Sequence, residues 1–224
     1  MTPVNLNQDV TGVIMPVSMT RKEIPTKLTK AQFEEFFLPY LKRGSRGPQP
    51  KLDLCTLFNY ILKFLYIGCQ WKELPIEKDE QGLPEIHYSN VYRAFRRFEA
   101  QGCFDLMFEN SVLTLHQHEA LDVSIIHGDG TSTAAKKGGD NLGFNGHKHL
   151  KGDKVVAFCD RNCNVIAPFV AAPGNRNEAP LLREALPHVS RIARTVGLDL
   201  KQSLVSLDGG YDSRANRKAV VLVK

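Results

Sequence analysis

Two aspartates stand where carboxylate chemistry could be done. Asp129 lies in residues 123–133 (VSIIHGDGTST). There Val123, Ile125 and Ile126 predict a buried strand, and Gly128–Asp129–Gly130 predicts its end. Asp208 repeats the arrangement, because residues 203–208 (SLVSLD) run into Gly209–Gly210–Tyr211–Asp212. An aspartate at the mouth of a buried strand sits on rigid backbone with its carboxylate facing a cleft. Carboxylate oxygens suit hard, oxygen-seeking cations such as Mg2+ or Mn2+. If the two strands are neighbours in one sheet, Asp129 and Asp208 converge. Either Asp-Gly step alone is ordinary turn chemistry. The repeated framing points to a shared site.

The elements that would carry these residues fall into two halves. In the first, Thr29 predicts a helix cap with Gln32 as its capping-box partner, followed by an apolar face of Phe33, Phe36 and Phe37. Residues 52–65 form a wide apolar stripe interrupted by Asp53, Asn59 and Lys63, a buried helix ending near Gly68. Residues 71–75 (WKELP) predict a turn that packs the only tryptophan against it. Ser89 predicts the cap of a helix over 90–100, with Val91, Ala94, Phe95 and Phe98 inward and Arg93, Arg96 and Arg97 elsewhere. Gly102 separates it from another helix over 104–118. Short helices with a basic later member fit a helix-turn-helix that enters a DNA groove, and equally a small bundle with a solvated basic face. Residues 1–26 predict a loose arm, and 42–50 (KRGSRGPQP) a basic connector.

In the second half, residues 134–152 predict a polar, Gly-rich stretch with Lys136, Lys137, His147, Lys148 and His149. Residues 154–160 (KVVAFCD) and 165–171 (VIAPFVA) predict a hairpin turning at 161–164. Asn177 or Glu178 opens a helix towards Val196, lined by Leu181, Leu182, Ala185, Leu186, Val189 and Ile192, with Pro187 predicting a kink. After the strand ending at Asp208, Asp212 or Ser213 predicts the cap of a last helix.

Composition limits the function classes. The chain has 224 residues, 42% hydrophobic and 24% charged, values of a globular protein without a membrane span. No secretory signal is read over 1–20, so a cytoplasmic location is expected. Net charge is +5 and the excess lies wholly after residue 120. That balance is compatible with nucleic acid without establishing it. The five cysteines are expected to be small buried hydrophobes of a reducing compartment. Cys159 and Cys163, with His147 and His149 upstream, match no usual zinc framework.

The second-half order of strand, hairpin, helix and strand resembles the start of the ribonuclease-H-like fold. Across most of the chain beyond residue 27, the sequence also resembles bacterial insertion-sequence transposases of the DDE class, in the insertion-sequence-five branch of the insertion-sequence-four superfamily. The resemblance is carried by 71–75 (WKELP), 88–98 (YSNVYRAFRRF), 129–132 (DGTS), 146–150 (GHKHL), 155–160, 173–178 (PGNRNE) and 207–213 (LDGGYDS). It implies an α+β chain: an arm over 1–26, a helical, helix-turn-helix-like DNA-binding domain over 27–118, and an incomplete ribonuclease-H-like α/β domain over 121–224. It implies that Asp129 and Asp208 are two of three catalytic, metal-binding carboxylates. Arg93, Arg96 and Arg97 would lie on the DNA-binding helix, and His147, Lys148 and His149 near DNA. The reaction implied is two-metal phosphodiester cleavage and joining at transposon ends with Mg2+ or Mn2+. The partners implied are terminal repeats, target DNA and a homo-oligomer or full-length transposase, on the bacterial nucleoid.

The family's third carboxylate is a helical glutamate well beyond the second aspartate. Only sixteen residues follow Asp208 and none is glutamate. Asp212 reads as a cap and Glu178 begins a different helix. The resemblance fades at Val220, which fits a frameshifted or a decayed copy, and the chain is expected to be weakly active or inactive alone. A DNA-binding regulator or inhibitor of transposition, and an unrelated metal-dependent nuclease on a similar sheet, stand as alternatives.

Overall fold

A computed structural model describes residues 26–41, 51–135 and 142–223. The arm up to residue 25, the connector 42–50, and Lys136 and Lys137 lie outside the described residues. The chain forms two compact units, one of residues 1–35 and 47–95, the other of 36–46 and 96–224. The boundary falls within a helix at Phe95, so the helix over 103–117 groups with the sheet rather than with the N-terminal helices.

The first unit is helical. α1 (Lys30–Phe36) opens with the expected capping box: the Thr29 N–H donates to Gln32 Oε1 at 3.0 Å, and the Gln32 N–H to Thr29 Oγ1 at 3.2 Å. α2 (Leu54–Ile67) buries Leu57, Phe58, Tyr60 and Ile61 and stops at Gly68 in the left-handed region. Each polar residue that interrupts its stripe has a task. Asp53 caps the helix, accepting from the Cys55 and Thr56 N–H groups. Asn59 clamps both backbone groups of Leu28. Lys63 reaches Glu77 at 3.4 Å. Trp71 stacks on Phe64 of α2 with ring centroids 3.5 Å apart, and Tyr92 and Phe95 approach its other sides. These last two lie on α3 (Tyr88–Ala100), which begins two residues before the expected start. Its Ser89 lies inside the helix, hydrogen-bonded to His87 Nδ1, instead of capping it.

The second unit is built on a mixed sheet. Its elements are α4 (Cys103–Gln117), β1 (Ile125–Ala134), β2 (Gly143–Asn145), β3 (Leu150–Cys159), β4 (Val170–Pro173), α5 (Glu178–Val196), β5 (Leu204–Leu207) and α6 (Arg214–Val223). The strand order is β2-β3-β1-β5, with β4 also pairing β3. β1 runs antiparallel to β3 and parallel to β5. Every residue of α5 expected to be apolar and inward is buried, and Ile126, Val156, Phe158 and Ala172 meet them from the sheet. Behind α5, Ile192 and Val196 close on Val112 of α4. One sheet face is thus covered by α5. The alternate residues of β1 and β3 on the other face are half-exposed or exposed.

Three expectations need correction. β1 does not end at Gly128–Gly130; it continues to Ala134, paired residue by residue with β3 down to Gly152. Glycine and aspartate are tolerated there because β3 satisfies the backbone and the polar side chains alternate onto the open face. The second hairpin strand is not continuous over 165–171. Val165 makes one bridge to Cys159 and the ladder resumes only at Val170, because Pro168 has no N–H to donate. Of the cysteines only Cys103 is buried: Cys55, Cys69 and Cys159 are half-buried, and Cys163 is exposed in the left-handed turn after Asp160. All five cysteines are free thiols.

Candidate two-carboxylate site

Gly128 of β1 pairs with Leu207 of β5 as the last matched positions of the parallel ladder. The next residues along the two strands are Asp129 and Asp208, so the two carboxylates leave adjacent strands in the same register. Alternation decides which face they use. Ile126 and Gly128 are buried beneath α5, whereas Asp129 is exposed, and Leu207 is half-buried whereas Asp208 is exposed. Both aspartates therefore stand on the open face. Asp129 also accepts the Gly130 N–H at 2.7 Å. Asp208 opens the turn Gly209–Tyr211, closed by the Tyr211 N–H on the Asp208 carbonyl at 2.9 Å, and its carboxylate makes no capping bond.

Beneath this turn lies a second polar group that sequence reasoning set aside. Glu178, the first residue of α5, accepts a hydrogen bond from the Tyr211 hydroxyl at 3.1 Å and pairs with Lys154 Nζ at 3.0 Å. Lys154 is almost fully buried and also donates to the Arg176 carbonyl at 3.0 Å, so its ammonium is neutralised and hydrogen-bonded. Tyr211 is buried as well. Burial, then the charge of Glu178, its hydrogen bond, and the charges of Asp129 and Asp208 all hold the Tyr211 hydroxyl above the usual tyrosine range. The hydroxyl thus feels three carboxylates at once. A charged residue at the head of the run KVVAFCD was the available sequence signal, since a strand lysine on a buried face requires an anionic partner. The partner's position, 24 residues on, was not readable.

Asp212 is no substitute acid. Both its oxygens accept from Arg217 at 2.6 Å, which holds its carboxyl below the usual range, while Ser213 caps α6 through the Asn216 N–H at 3.2 Å. Among the described residues, no three His, Cys, Asp or Glu side chains gather closely enough to hold a metal ion. Two exposed carboxylates and open solvent fit one hard cation that keeps several waters. They do not supply the ligands of a two-cation centre.

The basic turn at 147–149 lies apart from this pair. Gly146–His149 form an exposed turn between β2 and β3, shaped by buried Asn145, whose Oδ1 accepts the His147 and Lys148 N–H groups at 3.0 Å each. Asp129 is paired with Ala157, seven residues along β3 from Leu150, so His147, Lys148 and His149 stand roughly 23 Å away at strand rise. On α3, Arg93, Arg96 and Arg97 are all exposed at positions i, i+3 and i+4, one stripe of the helix. Arg93 reaches Asn90 at 3.4 Å, Arg96 pairs with Glu99 at 2.7 Å, and Arg97 lies over the Phe98 ring.

The site is thus of a general class: paired carboxylates on adjacent strands of a mixed sheet, beside a helix-backed core. No family model matches the chain, and no curated protein matches it. Among solved structures, the chain is similar to a Mos1 transposase paired-end complex with left transposon end, at 14% identity and a TM-score of 0.33. The match covers 82% of this chain and 60% of that one. No helix among the described residues is long and apolar enough to cross a membrane.

Proposed function

We propose that this chain carries the two-aspartate site of a DDE transposase on a ribonuclease-H-like sheet, with Asp129 and Asp208 as its divalent-cation ligands and DNA as its substrate. The observation that carries the reading is the placement of the two aspartates one step past the Gly128–Leu207 pair, on one open face. The motifs 129–132 and 207–213, in that order, agree with it. A hard cation held by the pair would supply Lewis-acid stabilisation of phosphodiester charge. The chain's own residues would do the rest. The two carboxylates would fix the cation on the open face, and the arginine stripe of α3 with the turn at 147–149 would hold phosphates.

Two carboxylates leave the ligand set short, and removing one catalytic group commonly lowers a rate by orders of magnitude. The purified chain, incubated with Mg2+ and an oligonucleotide ending in the element's terminal repeat, is therefore expected to bind DNA with little or no strand joining. Binding should weaken steeply with salt as phosphate contacts release counterions, and substituting Arg93, Arg96 and Arg97 should flatten that dependence. Efficient Mg2+-dependent joining would contradict the incomplete-site reading, and binding insensitive to salt would contradict the DNA partner. The same shortage of ligands favours a second reading, a DNA-binding regulator that occupies transposon ends without cutting. Nicking without preference for any DNA end would support neither, and would indicate an unrelated nuclease.

A further inference from the structure

The distance between Asp129 and Asp208 is set by more than the β1–β5 ladder. The ladder ends at Leu207, and the chain then turns through Gly209 and Gly210, which offer no side chain to anchor it. The next side chain is Tyr211, buried to 3% exposure. Its hydroxyl passes under the turn to Glu178 of α5, and Glu178 is itself held by Lys154 of β3. The hydroxyl also lies directly over β1. A Cβ placed on Gly130 would come within 2.5 Å of Tyr211 Oη and 3.0 Å of Glu178 Oε2. Gly130 is the residue after Asp129, and its missing side chain is the seat of the tyrosine. From below, Asn216 Nδ2 donates to the Tyr211 carbonyl at 2.8 Å, and Arg183 of α5 holds Asn216 Oδ1 at 2.7 Å.

We infer that Tyr211 is a positioning residue: seated on Gly130 and tied through Glu178 to Lys154, it fixes the turn bearing Asp208 against the strand bearing Asp129. The role in cation binding rests on the proposed carboxylate pair; the role in holding the turn does not. The network joins β1, β3, α5 and the turn, so it sets the carboxylates' spacing from the covered side of the sheet without touching the cation. Lys154, Glu178 and Tyr211 act as one unit, and loosening any of them moves Asp208 while the β1–β3 ladder stays in place.

Two readouts test this on the full chain. Hydrogen exchange at the Tyr211 and Asp212 amides, measured without metal, reports the turn. Mn2+ binding followed by electron paramagnetic resonance reports the carboxylate pair. Tyr211→Phe should accelerate exchange in the turn while leaving the β1–β3 amides protected. It should also weaken Mn2+ binding about tenfold, the low end of what losing a ligand-orienting group costs. Glu178→Gln, which keeps the fold's apolar contacts, should act in the same direction. Gly130→Ala should reproduce both losses by crowding the hydroxyl and Glu178 from their seats, and adding Tyr211→Phe to it should cause little further loss, because the same hydroxyl–Glu178 tie is already broken. Unchanged turn exchange in Tyr211→Phe and Glu178→Gln would overturn the inference. If Asp129→Asn and Asp208→Asn leave Mn2+ binding intact, the metal reading fails instead, and exchange in the turn alone then supports or overturns the positioning role.

Discussion

The Tyr60 hydroxyl donates to the Glu85 carboxylate and accepts the Glu77 N–H at 3.0 Å, joining α2 to the loop that follows it. Burial first, and then the hydrogen bond to Glu85, push its pKa up from 10.0 to about 12. The folded chain therefore keeps this proton over a range in which the unfolded chain has lost it. The stabilisation is complete below pH 10 and is lost as pH rises towards 12. Denaturation midpoints followed through that range should fall more steeply for the native chain than for Tyr60→Phe; parallel curves would contradict the assignment. Asp160 is a second residue whose work is structural. Wholly buried, it accepts the Asp122 N–H at 2.8 Å, the Asn164 N–H at 2.7 Å and Asn164 Nδ2 at 3.2 Å. Asp160→Ala leaves these donors without their acceptor and should cost about 3 kcal/mol in chemical denaturation. A loss within experimental error of zero would show that water replaces the carboxylate.

At the scale of elements, helices were more legible than strands. The apolar residues of α5 recur at helical spacing over nineteen residues, and the residues named from spacing are all buried, with Ala193 and Val196 besides. The capping box at Thr29 and Gln32 was readable because both partners lie within four residues. Asp53 was read as an interruption of an apolar stripe, although the same position is the N-cap of α2. Its hydrogen bond from Thr56 Oγ1 leads the effects that hold its carboxyl below the usual value of 3.8. Asp53→Ala should destabilise the chain by about 1 kcal/mol at neutral pH. Because the folded pKa is depressed, that difference should shrink as pH falls below 3.8; a difference that persists in acid would contradict the cap. Strand limits were less legible because they depend on the partner. Gly128 and Gly130 read as stops, yet β3 pairs past both. Local sequence cannot report a ladder formed with residues 30 positions away.

Over the whole molecule, the candidate site gathers residues that sequence distance keeps apart. Asp129 and Asp208 were readable as a pair because each follows a β-branched or leucine-rich run and precedes glycine. Their adjacency came from the parallel β1–β5 pairing, which a helix-containing crossover makes possible. Glu178 and Lys154 were not readable as part of the site. Glu178 was assigned to a helix away from it, and only the fold brings the start of α5 under the Asp208 turn. The second unit therefore holds two polar layers, an exposed acidic pair on the open face and, beneath it, buried Lys154 and Tyr211 joined by half-buried Glu178. The upper layer is the pair proposed to take an external cation, and the lower one is already neutralised from within.

The most direct measurement is a Mn2+ titration of the purified chain, followed by electron paramagnetic resonance, beside Asp129→Asn and Asp208→Asn. One weak site that either substitution abolishes, with the helical content of all three proteins the same, is the predicted result. Binding that survives both substitutions, or no binding by the native chain at millimolar cation, would contradict the assignment of Asp129 and Asp208 as a cation-holding pair.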